Sequence, residues 1–180
     1  MVWRSAKGFS LIELVIVVLI LGIVAVVAIP FLSTANEKKL ILAAQEIAHA
    51  IQFARDEAVR LDQTIGFEID DNNQRVRVFR ADLNSTPPVI SYDIYHPLSK
   101  QRYDINLLNH SFAKVESISV DTRFFASCSL STAVYFDSNG VPRCMSPSSL
   151  VLSSMELDLA LDSYAQRVTL HGVTGRVTVQ

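Results

Sequence analysis

A single carboxylate, Glu13, stands at the mouth of an apolar stretch that carries no other charge from Leu14 to Asn36, a run of 23 residues. On insertion scales an acidic residue at the centre of a membrane helix costs roughly 2.5–3.5 kcal/mol, and less toward an end. A charge placed there needs a partner or a function. Other residues with chemical potential are fewer. Cys128 and Cys144 are the only cysteines, sixteen positions apart. In an exported chain they are expected to form a disulfide around Tyr135–Gly140, and in a reducing compartment two free thiols. No CxxC or HxxxH spacing points to zinc.

His49, His96, His110 and His171 are scattered over the chain, and none pairs with another at metal-ligand spacing. There is no G-x-S-x-G or H-E-x-x-H motif, and with six glycines no phosphate-cradling loop. No catalytic residue, metal, cofactor or small-molecule substrate is therefore expected, and the chain is read as non-enzymatic. Asp70-Asp71-Asn72-Asn73 and Asp137-Ser138-Asn139-Gly140 offer oxygens to calcium, or simply make turns; the turn reading is preferred. Arg75 and Arg77 share a strand face, but Arg167 and Arg176 face Glu156, Asp158 and Asp162 in number. That balance is wrong for a phosphate-binding surface, so nucleic acid is not an expected partner.

The uncharged run is long enough to cross a bilayer as a helix. Arg4 and Lys7 precede it and no basic residue follows until Lys38, which places the N-terminus in the cytoplasm. A Sec signal peptide ending near Ala28 is the alternative, and would release an exported soluble enzyme or binding protein. A plain single-span anchor is another reading. Neither gives Glu13 a role. Setting aside Arg4, Lys7 and Glu13, the 16 basic and 18 acidic residues leave the remainder at about −3, with no basic bias. Roughly 115–120 residues are left to build one domain.

The elements that must position these groups follow from periodicity. Leu40, Ala44, Ile47, Ile51, Ala54, Ala58 and Leu61 recur at spacings of four and three, an apolar helix stripe. With the uncharged run, Leu11 to Leu61 would be a helix of about 75 Å. Thr34 and Glu37 have capping-box spacing, which predicts a break or kink near 30–36. Asp56 and Arg60 are expected to pair. Past Gln63 the period becomes alternating. Thr64–Asp70 and Gln74–Arg80 predict a hairpin around Asp71-Asn72-Asn73, with Ile65, Phe67, Ile69, Val76 and Val78 facing one way. Further predicted strands are Tyr92–Tyr95, Tyr103–Leu108, Val115–Val120, Ala133–Phe136, Glu156–Leu161, Arg167–His171 and Arg176–Val179. Asn84–Pro88 and Ser146–Ser149 read as loops. The fold class expected is α+β: a long N-terminal helix, membrane-spanning in its first half, packed on a C-terminal antiparallel β-sheet head.

The segment Gly8-Phe9-Ser10-Leu11-Ile12-Glu13-Leu14, with Gly22 and Pro30 beyond it, resembles the signal of type IV pilins and type II secretion pseudopilins. The resemblance implies that prepilin peptidase cuts between Gly8 and Phe9, that Phe9 is then N-methylated, and that Glu13 is retained for assembly. Ser10 stands where threonine is commoner. Phe53–Arg60 with the strand after it, Tyr135–Gly140 and Gly175–Val179 are similar to the GspH/FimT branch of minor pseudopilins, whereas His96–Tyr103 resembles minor pilins of the mannose-sensitive haemagglutinin pilus. The implied division is 1–8 cleaved leader, 9–36 transmembrane and assembly helix, 37–62 amphipathic continuation, and 63–180 β-rich head, which the GspH/FimT resemblance implies to be a β-sandwich. The implied partners are other pilin subunits, prepilin peptidase, an inner-membrane assembly platform and the membrane itself. The implied location is the inner membrane, single-pass with a periplasmic head, then the assembled fibre, where the subunit initiates or caps growth. Such fibres serve secretion, adhesion, twitching or DNA uptake.

Overall fold

The computed structural model describes residues 10–70, 74–85, 88–108, 119–125, 128, 133–145 and 150–180, with side chains described for all of these except 25–34 and 119–125. Two compact units are formed, Met1–Asn36 and Glu37–Gln180. Helix α1 spans Leu11–Leu61. It is closed at its end by Asp62, whose φ of 52° is left-handed, while the Gln63 N–H reaches the Ala58 carbonyl at 3.2 Å. This is the geometry by which a left-handed residue satisfies the last helical carbonyls. Arg60 in the last turn complements the negative end of the helix dipole.

The chain stays helical through 30–36, so the predicted break there is not found. Thr34 and Glu37 lie inside the helix rather than at a cap. The expected Asp56–Arg60 pair is also corrected: Arg60 instead pairs with Glu57, one turn back, through Nε and a second guanidinium nitrogen. Asp56 is solvent-exposed on the same helix surface.

In the second unit the helix meets two antiparallel sheets. The first contains β1 (Ile65–Asp70), β2 (Arg75–Asp82), β3 (Val89–Ser91), β4 (Asp104–Asn106), β6 (Ala133–Phe136) and β7 (Pro142–Cys144). Its order is β3-β2-β1-β6-β7, with β4 also on β2. The second has the order β10-β9-β8-β5, built from β5 (Ser119–Phe125), β8 (Ser154–Leu161), β9 (Tyr164–His171) and β10 (Val177–Val179).

The expected β1–β2 hairpin pairs Asp70 with Arg75 and Ile65 with Arg80; residues 71–73 of its turn lie outside the described residues. The β8–β9 hairpin closes with a two-residue turn after Leu161, in which Asp162 takes a φ of 54°. Such turns favour residues that tolerate positive φ.

The core joins the helix stripe to the inward faces of both sheets. Leu40, Ala44, Ile47, Ile51, Ala54 and Ala58 are fully buried, together with Ile65, Phe67, Ile69, Val76 and Val78 from the hairpin and Leu157, Leu159, Val168 and Leu170 from the second sheet. Leu61 packs against this core at its edge. A smaller cluster on the other face of the first sheet holds Phe79, Ala81 and Ala133 under Leu83, Tyr92 and Met145.

Three strand expectations change. Tyr92–Tyr95 is not a strand: the edge strand is β3, and Tyr95 makes only an isolated bridge to Arg102. After Ser91 the chain leaves the edge of β2, and Asp93 pairs with Arg80 instead of continuing the ladder. Strand β5 continues to Phe125, beyond the expected end at Val120, while 115–118 lie outside the described residues. Strand β7 was not expected; Pro142, which lacks an N–H, heads this three-residue edge strand, where that donor is dispensable. Thr86, Pro87 and Ser146–Ser149 also lie outside the described residues.

Candidate assembly site

Glu13 sits in the first turn of α1, where the Ser10 carbonyl accepts the N–H of Glu13 at 3.0 Å and of Leu14 at 3.2 Å. The free N–H groups and dipole of a helix start favour an anion. Ser10 and Glu13 also have capping-box spacing, a local start signal the sequence carries independently of the family motif. Every large apolar side chain described from Leu11 (82% exposed) to Val24 (56%) is exposed, on all sides of the helix. A helix that is apolar all round has to be covered by lipid or by other helices. Among the residues whose side chains are described, which exclude 25–34, no helix is long and apolar enough to cross a membrane. Gly8 and Phe9 lie outside the described residues.

In the second unit, three separate sequence segments converge on one arginine. Arg55 of α1 donates from Nε to the Gly140 carbonyl at 3.4 Å. A Cβ on Gly140 would lie 3.2 Å from that Nε, and a Cβ on Gly175 would lie 2.7 Å from it. Both glycines are left-handed, with φ of 74° and 63°. The stem of Arg55 therefore fits only against turns that have no side chain. These are the turn after β6 and the turn before β10, so the helix, the first sheet and the second sheet are keyed together there. The spacing in sequence gave no sign of this meeting, although the three segments are those that carry the GspH/FimT resemblance.

Asp137 organises the first of these turns. Its Oδ1 accepts the N–H of Asn139 and of Val141, both at 3.0 Å, and its Oδ2 accepts Arg143 Nε at 2.9 Å. Partial burial works against its charge, but the hydrogen bonds from Arg143, Val141 and Asn139 outweigh it and hold the carboxyl below the usual range. Its oxygens are thus engaged in turn chemistry.

Cys128 and Cys144 are joined by a disulfide, with Cα atoms 5.3 Å apart and both residues buried. Among the described residues no cluster of His, Cys, Asp and Glu suits a metal ion. His49 and His171 are exposed and His96 half-buried on different elements, and His110 lies outside the described residues. The strand arginines are matched by acids: Arg75 with Asp104, Arg77 with Glu68, Arg80 with Asp93, and Arg167 with Asp158 and Glu156. Guanidinium groups so paired do not form a phosphate-binding row.

Residues 3–29 match the prokaryotic N-terminal methylation motif, and residues 43–174 match the family described as type II transport protein GspH. No curated protein matches the sequence significantly. Two solved structures share the fold. The minor pseudopilin EpsH from the type 2 secretion system of Vibrio cholerae aligns with a TM-score of 0.53 at 13% identity, covering 79% of this chain and 96% of EpsH. The type IV minor pilin FimU of Pseudomonas aeruginosa aligns with a TM-score of 0.51 at 16% identity, covering 82% of this chain and 92% of FimU. At these identities the likeness carries the fold. The family match covers most of the chain, including Arg55 and Gly140 and ending one residue before Gly175, and the methylation motif lies over Glu13. The chain belongs to the GspH family of pilin-like, membrane-anchored periplasmic proteins and is a minor pilin or pseudopilin subunit.

Proposed function

We propose that this chain is a structural subunit that initiates or caps a type IV pilus or a type II secretion pseudopilus. Its first eight residues are removed between Gly8 and Phe9, and the new amine on Phe9 is methylated. Before assembly the uncharged run from Leu14 to Asn36 holds the subunit in the inner membrane by a single pass, with the β-rich head in the periplasm. In the fibre the same segment packs against the helices of other subunits. The subunit is handled by prepilin peptidase and the inner-membrane assembly platform, and it catalyses no reaction. The minor-subunit role accords with the fold it shares with EpsH, a minor pseudopilin, and FimU, a minor pilin.

The observation that carries this reading is Glu13, placed in the first turn of a helix whose surroundings are exposed apolar side chains. The ammonium on Phe9 of a neighbouring subunit supplies the missing positive charge. An ion pair in an apolar setting adds little net stability, yet an unpaired member is costly. The pair therefore acts as a register device, satisfied when subunits stack in step and unsatisfied in lipid.

Mass spectrometry of the mature N-terminus tests the processing: a chain beginning at Phe9 with one added methyl group is expected. A chain beginning after Ala28 would instead make this an exported protein with a cleaved Sec signal. Glu13→Ala tests the register role. The variant is expected to insert in the membrane at the wild-type level and to enter fibres about tenfold less, a loss of about 1.4 kcal/mol. Equal entry into fibres would remove that role.

A further inference from the structure

The stretch His96–Tyr103 forms a loop that is tightly built yet displays an apolar tip. Tyr95 and Arg102 form an isolated bridge at its base. The His96 N–H donates to the Gln101 carbonyl at 2.8 Å, and the Lys100 N–H donates to the His96 carbonyl at 3.0 Å. His96 Nδ1 accepts the N–H of both Leu98 and Ser99 at 3.2 Å. The His96 ring lies 4.8 Å from that of Tyr103, which stacks on Phe53 of the helix at 4.9 Å. Held in this frame, Leu98 is 86% exposed and Tyr95 57%. Folding of the head does not account for an apolar side chain fixed in water by so many bonds.

The base of the same loop borders a small cavity of about 140 Å³, lined by Arg77, Val78, Tyr92, Arg102, Tyr103 and Asp104. Its charges are unevenly satisfied. Asp104 is taken by Arg75, and Glu68 is taken by Arg77 and by the Tyr92 hydroxyl, which donates to it. Arg77 is further fixed with its guanidinium 4.6 Å from the centre of the Tyr92 ring. Its Nε is buried and has no acceptor. Among the described residues, Arg102 and Lys100 have no carboxylate partner. In a chain of net charge −2, this is a local excess of unmatched positive charge. A planar guanidinium recognises a carboxylate through paired hydrogen bonds. The cavity has room for such a group. A nucleic acid would need cations repeated along its phosphates, whereas the neighbouring Arg75 and Arg80 are paired with acids.

We propose that this cavity and loop dock an aspartate or glutamate side chain from a neighbouring subunit of the fibre. Arg102 takes the carboxylate at the mouth of the cavity, where Arg77, held by Glu68 and Tyr92, forms the wall, and Leu98 meets apolar residues beside it. The assignment of the partner rests on the fibre-subunit function proposed above.

The test uses the full chain in cells that assemble the fibre. Arg102 is exposed, so its substitution leaves folding in place, and export with disulfide formation checks this. Arg102→Glu is expected to lower entry into sheared fibres about tenfold or more, while Arg102→Lys, which keeps the charge but not the paired bonds, keeps only part of it. A photoreactive p-benzoylphenylalanine placed at Leu98 is expected to cross-link to a fibre subunit, at a peptide containing Asp or Glu. Normal entry of Arg102→Glu beside failure of Glu13→Ala overturns the docking site alone. Cross-links only to lipid, to nucleic acid or to peptides without an acidic residue also overturn it. Absence of the wild-type chain from fibres overturns both the site and the fibre function.

Discussion

Arg55, Gly140 and Gly175 show why some residues are legible in sequence and others are not. Glu13 could be singled out because a charge in an apolar run is anomalous by itself. Arg55 looks like any surface arginine on an amphipathic helix, and its importance depends on two turns 85 and 120 positions away. At Gly175 a methyl group would meet the Arg55 stem, and the backbone is left-handed. Gly175→Ala is therefore expected to destabilise the head by about 1–3 kcal/mol, read as a shift in urea midpoint. Asp137 gives a pH signature. A carboxyl held below its ordinary range in the folded state contributes stability that is present above the unfolded value and is lost as pH falls through the folded one. Asp137→Asn is expected to lower stability near neutrality by about 1–2 kcal/mol and to flatten the loss seen below about pH 4. Urea midpoints of both proteins across acid pH check it.

At the scale of elements, the long regular segments were readable and the short ones only in part. The helix stripe from Leu40 to Ala58 is buried at every position named from its spacing, and the β1–β2 hairpin has the expected face inward. Strands β4 and β10, of three residues each, fall within the expected Tyr103–Leu108 and Arg176–Val179, but β3 and β7, equally short, were not expected. They are defined by the neighbours they pair with, which a single sequence does not display. The composition of the helix also has a mechanical meaning. Ala43, Ala44, Ala48, Ala50, Ala54 and Ala58 are all buried, so small side chains bring the helix axis close to both sheets. Enlarging one of them forces the layers apart. Ala54→Leu is expected to cost about 1–3 kcal/mol despite being more apolar, with thermal unfolding as the measurement.

At the scale of the whole molecule, the α+β class followed from one long helix ahead of alternating strands, but the division of strands into two sheets did not. Nothing local in Ser119–Phe125 says that it belongs with β8 rather than with β6, its successor in sequence. The link between those sheets is where the disulfide acts: Cys128 lies between β5 and β6, and Cys144 ends β7. Replacing both cysteines by serine is expected to lower head stability by about 3 kcal/mol from the loop-closure term, measured by chemical unfolding without reductant.

That covalent bond also gives the fold a direction. Thiols stay reduced in the cytoplasm and are oxidised outside it, so the head gains its last increment of stability only after translocation. Both sulfurs are then buried, out of reach of small reductants. The crossing works as a ratchet: a head that has reached the oxidising side is harder to unfold than the chain that was delivered, and backward passage is opposed.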